Sequence, residues 1–256
     1  MAIEIKKWLK NSFSKNKIPD WTCPSCNNGY LKIIPAEFHF EETTESKGWH
    51  SHDDWGPEFI RYRFHGTLKC KNCDDFIAFL GRGSVDWSQY YDDIGDRYYE
   101  NYYDIFYPEF FKPSLKLFDV HTNCPESIKD EIEASFSFFW NDLASCANKI
   151  RISLELLMDN QKVKKTFEHA GQRKKLSLHK RIEEFKNMKP EIADFLLAIK
   201  WIGNTGSHVG KLEKIDILEA YELLDHSINL LFDKTEEKLK KITKEINKRK
   251  GVRKRK

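Results

Sequence analysis

Lys200-Trp201-Ile202-Gly203-Asn204-Thr205-Gly206-Ser207-His208 is the stretch on which the reading of the chain turns. It follows Ile192, Phe195, Leu196 and Ile199, apolar residues that recur every three or four positions, as on a helix with one buried face. Two glycines then break the pattern, and a helix is expected to stop or bend there. Asn204, Ser207 and His208 stand at that break. An amide, a hydroxyl and an imidazole at a helix end can position a phosphate or carry a proton. The same residues also suit an ordinary interhelical loop with asparagine as its C-cap.

The helical period extends in both directions. Downstream, Ile217, Leu218, Tyr221, Leu224, Ile228 and Leu231 mark a further helix, and a weaker stripe continues through Leu239, Ile242 and Ile246. The chain ends in a basic run, 248–256, that includes Lys254 and Arg255. Such a tail is drawn to phosphate backbones, or simply stays solvated. Upstream, Pro125 opens a helix with Ile128, Ile132, Phe136, Phe139 and Trp140 on one side. Asn141 or Asp142 caps a second helix, on which Arg151 and Glu155 lie one turn apart. Residues 160–175 read as a polar loop. Leu178 opens a third helix and Pro190 the fourth, which ends at the glycines.

The N-terminal part has a different grammar. Cys23-Pro24-Ser25-Cys26 and Cys70-Lys71-Asn72-Cys73 are two Cys-x-x-Cys knuckles. Each knuckle aims two sulfurs at one point, and four thiolates close a tetrahedral shell, so the expected cofactor is a structural zinc ion. Two copies of the motif disfavour a redox dithiol, and a cytoplasmic chain disfavours a disulfide. Alternating runs such as Phe59–Phe64 and Phe76–Leu80 supply strands for a small antiparallel zinc ribbon. Arg61 and Arg63, interleaved with Tyr62 and Phe64, suggest a strand face that contacts nucleic acid, or a sheet with one wet side. His50, His52, Asp53 and Asp54 suit a second metal or an exposed hairpin tip. Residues 83–118 mix tyrosines with acidic residues. They read as a bridge between the two modules, and the 86–111 segment as a surface for a protein partner.

The chain has 256 residues, is 40% hydrophobic and 32% charged, and carries a net charge of +3. That balance leaves the choice of partners open. No run reaches the ~20 apolar residues needed to cross a bilayer, so no membrane partner is expected. The lysine-rich start lacks a signal-peptide pattern, and a cytoplasmic location is expected.

The helical half resembles a known family, the domain of unknown function 4145. The resemblance runs from about Pro113 to Asp233 and rests on four segments. They are Ile150-Arg151-x-x-Leu154-Glu155-x-Leu157, Leu178-x-x-Arg181-Ile182, Ile202-Gly203-Asn204-x-Gly206-Ser207-His208, and Asp216-Ile217-x-Glu219-Ala220. That family is similar to the HEPN superfamily of helical bundles, which dimerise and include metal-independent ribonucleases of toxin, CRISPR and phage-defence systems. The HEPN signature is an arginine, a polar residue and, four to six positions after the arginine, a histidine. His208 and Asn204 match the last two. The arginine position is not filled; the nearest upstream cation is Lys200, and Arg151 can supply the missing guanidinium only from a neighbouring helix.

The resemblance thus implies an α+β multidomain chain. Its expected divisions are a zinc-ribbon domain with an N-terminal helix (1–82), an aromatic and acidic bridge (83–118), an all-α HEPN-like bundle (119–235) and a basic tail (236–256). The implied function is a homodimeric, nucleic-acid-engaging protein of prokaryotic antiviral defence or toxin type. It would act on RNA rather than DNA, as a ribonuclease using His208, Asn204, Lys200 and Arg151. The alternative is a non-catalytic module that binds nucleic acid or a protein and dimerises. Arg61, Arg63, Lys254 and Arg255 are the expected nucleic-acid contacts.

Overall fold

The computed structural model describes residues 3–92, 96–205 and 211–251. A short helix, α1 (Ile5–Leu9), precedes a curled antiparallel sheet. The sheet contains β1 (Leu31–Ile33), β2 (His39–Glu42), β3 (Arg61–Cys70), β4 (Phe76–Asp92) and β5 (Arg97–Lys112). Helix α2 (Thr44–Gly48) lies between β2 and β3. Strand β3 is central: β1 and β2 share one of its edges, β4 takes the other, and β5 lies beyond β4. The two-residue period of β3 buries Phe64 and Leu68 and leaves Arg61, Arg63 and His65 exposed. On the inner face Phe13 meets Phe38, Phe64, Phe79 and Phe106 at centroid distances of 5.4 to 5.9 Å. Edge-to-face and offset aromatic pairs of this kind add to the area they bury.

The C-terminal half is helical. Helices α3 (Glu126–Phe138) and α4 (Leu143–Asn160) are followed by a small hairpin, β6 (Thr166–His169) and β7 (Gln172–Lys175). Helices α5 (Leu178–Lys186), α6 (Pro190–Thr205), α7 (Lys214–Phe232) and α8 (Thr235–Arg249) complete it. The local signals act as expected: Asp142 caps α4 by accepting from the Ser145 N–H, and Ser177 caps α5 by accepting from that of Lys180. Helices α3, α4 and α7 are pinned by a buried polar trio, with the Tyr221 hydroxyl 2.6 Å from Ser135 Oγ and 3.1 Å from Cys146 Sγ. Arg181 on α5 is buried and donates to Asp159 Oδ1 at 2.6 Å and to the Val163 carbonyl at 3.2 Å. It therefore locks α5 to the end of α4.

The two halves share one core. Trp140, after α3, packs on Phe111 of the sheet at 4.9 Å, on Trp21 at 5.8 Å and on Trp8 of α1 at 6.3 Å. On its helical side Lys214 Nζ lies 4.6 Å from the same ring. Burial pushes the Lys214 ammonium down to about 8.

Three sequence expectations are corrected here. Residues 83–118 are more than a bridge: Phe111 and Phe118 do pack on the helical half, but β4 and β5 run through 83–112 as one hairpin, and the 1–82 boundary falls inside β4. Beyond the sheet this hairpin continues as a two-stranded ribbon, with Trp87, Tyr90, Tyr98 and Tyr99 exposed instead of packed between modules. The tyrosines come as adjacent pairs that a two-residue strand period sends to opposite faces, and they meet across the ribbon as Tyr90 against Tyr99 and Tyr91 against Tyr98. Residues 160–175 are not all loop, because 166–169 and 172–175 pair as β6 and β7. Finally, α6 does not stop at Gly203 but continues to Thr205. Among the described residues no helix is long and apolar enough to cross a membrane.

Candidate functional site

The metal centre is built from two turns at one end of the sheet. One precedes β1 and carries Cys23 and Cys26; the other joins β3 to β4 and carries Cys70 and Cys73. The four Sγ atoms lie within 4.8 Å of one another, with Cys23–Cys73 at 3.8 Å and Cys26–Cys70 at 3.7 Å. For metal–sulfur bonds of ~2.3 Å, tetrahedral geometry demands sulfur separations of about 3.8 Å. Amides serve the sulfurs as they do around a bound thiolate. Cys70 Sγ accepts from the Asn72 N–H at 3.3 Å and the Cys73 N–H at 3.5 Å. The Asn28 backbone and then the Asn72 side chain lower the Cys26 thiol to about 6. The arrangement can hold one metal ion. Among the described residues no second group of three or more His, Cys, Asp or Glu gathers. His50, offered above as a ligand, pairs with Glu42 at 2.8 Å.

Gly29 is part of this centre through the space it leaves. A Cβ there would lie 2.3 Å from Cys70 Sγ and 2.8 Å from Asn72 Cβ. Gly29→Ala is therefore expected to displace the Cys70 knuckle and lower metal content well below that of the wild type. Elemental analysis of freshly purified protein checks this; full occupancy in the variant contradicts the geometry.

The second cluster lies where α6 crosses α4. Gly203 faces the Ala147 carbonyl and the Arg151 side chain, and a Cβ added to it would sit 3.6 Å and 3.8 Å from them. Both are ordinary contact distances, so this glycine marks a helix crossing and no helix break. Lys200, one turn back, is 8% exposed. Its Nζ lies 3.5 Å from the Trp201 ring centroid, and no carboxylate pairs with it among the described residues. Burial, then the nearby Arg151 charge, lowers its pKa. Arg151 reaches Glu155 at 3.3 Å, while its buried Nε has no hydrogen-bond partner. Of the two cations only Arg151 has a carboxylate partner.

Asn204 lies on the last turn of α6 and is partly buried. His208 falls outside the described residues, as do Lys254 and Arg255. His179, whose spacing from Arg173 reads in the sequence as a coincidence, has its ring 5.5 Å from Trp201 and its Nδ1 buried without a partner. No local signal joins His179 to Trp201, since they meet only through the α5–α6 packing.

Arg61 and Arg63 lie on the outer sheet face, but Tyr62 and Phe64 do not accompany them. Consecutive strand residues point to opposite sides. Phe64 is buried, and Tyr62 is half-buried beside Asp104, with burial first and that carboxylate second pushing its hydroxyl up to about 12. The stacking strand face expected from sequence is therefore not formed by β3 alone.

Residues 133–249 match the family model of a domain of unknown function, DUF4145. The helical half carries a DUF4145 domain. Residues 11–111 match a second domain of unknown function, DUF8608, whose span takes in the cysteine centre and nearly all of the sheet. The DUF4145 domain contributes Arg151, Lys200, Asn204 and His179; the DUF8608 segment contributes the four cysteines. No curated protein and no solved structure matches the chain.

Proposed function

We propose that the DUF4145 domain is a HEPN-like module that engages RNA and cleaves it without a metal, and that the cysteine centre holds a structural zinc ion in a ribbon-type sheet. The observation that carries the proposal is the excess of cations at the α4–α6 crossing. A buried lysine beside a second cation is costly without an anion to balance them, and a phosphodiester supplies that anion. Arg151 offers a planar fork to the phosphate oxygens, and Lys200 a point charge. Asn204, at the end of α6, would orient the phosphate or the sugar. His208 would take the proton of the ribose 2′-hydroxyl as that oxygen bonds to phosphorus. The bond from phosphorus to the 5′ oxygen breaks, leaving a cyclic phosphate and a 5′-alkoxide that takes a proton from an acid or water. A homodimer acting in prokaryotic defence is the setting this reading implies, with the zinc centre taking no part in the chemistry because four thiolates leave no open position.

The test is incubation of RNA with the wild type and with His208→Ala and Arg151→Ala. His208→Ala should lower the cleavage rate by about 10²- to 10⁴-fold, the usual contribution of a general acid or base. Arg151→Ala should weaken RNA binding as well as cleavage. Equal cleavage by all three proteins assigns the activity to a contaminant. RNA that is bound but never cut supports the non-catalytic module instead.

A further inference from the structure

Strands β3 and β4 carry a second cationic feature, distinct from the α4–α6 crossing. In their antiparallel register Arg63 stands directly opposite Arg82, and Arg82 in turn opposite Tyr107. Like charges in opposed positions destabilise a sheet unless something neutral or negative intervenes. Arg82 is partly satisfied, with Nε 3.3 Å from Glu109 and its guanidinium 5.5 Å from the Tyr107 ring centroid. Glu41 of β2 stands opposite Arg63 on its other side, but no carboxylate comes within ion-pair distance of Arg63 among the described residues. Both line a groove of about 750 Å³ on the outer face of the sheet. Groove volumes of ~300–1,000 Å³ suit a small organic ligand.

The wall of the groove is built in advance. Segment 43–59 folds over the outer end of β3, with Thr43 capping α2. Ser46 Oγ donates to Glu42 Oε1 at 2.6 Å and accepts from the Arg61 N–H at 3.0 Å. The Arg61 guanidinium is spent on the wall too, donating to the Glu58 and Ile60 carbonyls at 2.6 and 2.9 Å. Arg61 therefore positions the wall and leaves Arg63 and Arg82 for a ligand. Trp49, on that wall, is 52% exposed, and its ring, with His52 at 5.3 Å, offers a stacking surface.

We propose that this groove binds a free ribonucleotide, with the phosphate on Arg63 and Arg82 and the base on Trp49 or Tyr107. Two carboxylates, Glu45 and Glu58, also line the groove. They repel a polyanion along its length but accept hydrogen bonds from ribose hydroxyls or an exocyclic amine. A ligand with one anionic end and one donor end satisfies both sets, which favours a mononucleotide over an RNA strand. This site is independent of the RNA-cleaving reading above, since neither His208 nor Arg151 takes part in it.

The experiment is calorimetric titration of the full chain with AMP, GMP, CMP and UMP in turn, with adenosine, inorganic phosphate and a short oligoribonucleotide as separate arms. At least one nucleotide should bind saturably. Adenosine and phosphate alone should each bind at least about tenfold more weakly, and the oligoribonucleotide, which the α4–α6 crossing takes on the reading above, should not displace the bound nucleotide. Arg63→Ala combined with Arg82→Ala should weaken nucleotide binding by about tenfold or more, and Trp49→Ala by several-fold, with circular dichroism unchanged. His208→Ala should bind as the wild type does. The proposal is overturned if no nucleotide binds saturably, if folded Arg63→Ala/Arg82→Ala protein binds unchanged, or if the oligoribonucleotide displaces the nucleotide from the groove. Should the double variant misfold, Arg63→Lys replaces it. Lysine keeps the charge but loses the fork, so undiminished nucleotide affinity in that variant also overturns the assignment.

Discussion

Cys70→Ser is expected to empty the metal centre and to destabilise the whole chain. Cys70 is fully buried, lies 3.7 Å from Cys26 Sγ, and carries the two amide hydrogen bonds of its knuckle. Serine offers a harder, shorter ligand that ionises far less readily, so the four-sulfur shell cannot close. Structural zinc sites contribute on the order of 10 kcal/mol to the folding of small domains that depend on them. Losing even part of that here should lower the thermal midpoint by on the order of 10 °C, together with the bound metal. Metal analysis and calorimetry on the same preparation decide it. A variant that binds as much metal as the wild type and melts with it would remove the metal from the account of this fold. From the sequence alone, two modules on either side of a bridge suggest that such damage stays in the sheet. The Trp140 contacts argue otherwise, because an unfolded sheet would strip Phe111 and Trp21 from a ring that the helices rely on.

Trp140→Ala should be nearly as damaging by a different route. The indole is 7% exposed and bounded by Trp8, Trp21, Phe111 and Phe139. Truncating a buried tryptophan to alanine costs about 3–5 kcal/mol, the sum of lost transfer energy and the cavity left behind. For a chain of this size that is on the order of 10 °C or more in the midpoint. The indole N–H is buried without a hydrogen-bond partner, so Trp140→Phe, which loses no satisfied bond, should recover much of the loss. Hydrogen exchange supplies the second readout. Protection should fall in β5 and in α7 together, since Lys214 at the start of α7 sits against the same ring. A loss confined to one half would show that the halves are stabilised separately.

What was legible in the sequence was whatever depends on near neighbours. The cysteine knuckles, the caps at Asp142 and Ser177, and the apolar stripe of α3 are all written within a few residues, and the structure places them where the spacing puts them. What was missed depends on pairing at a distance. The tyrosines of 83–118 read as a cluster until Tyr90 is set against Tyr99 and Trp87 against Tyr102. Gly203 reads as a break until α4 is placed beneath it. Arg151 and Lys200, 49 positions apart in the chain, meet only because α4 and α6 cross. His179 enters through α5, by the same kind of contact. The groove likewise needs three strands and the 43–59 segment at once, and no window of sequence contains them all.

The free part of the β4–β5 hairpin has a consequence for how the protein behaves in a crowd. From Asp86 to Asp92 on one strand and Arg97 to Asp104 on the other, it shows two open backbone edges and a run of unburied rings, the kind of surface that recruits further strands. Asp86, Glu100 and Asp104 give both edges the same sign, broken only by Arg97. Two such ribbons approaching side by side bring carboxylates together before their amides can meet. The carboxylates therefore oppose the zipping of one ribbon onto the next.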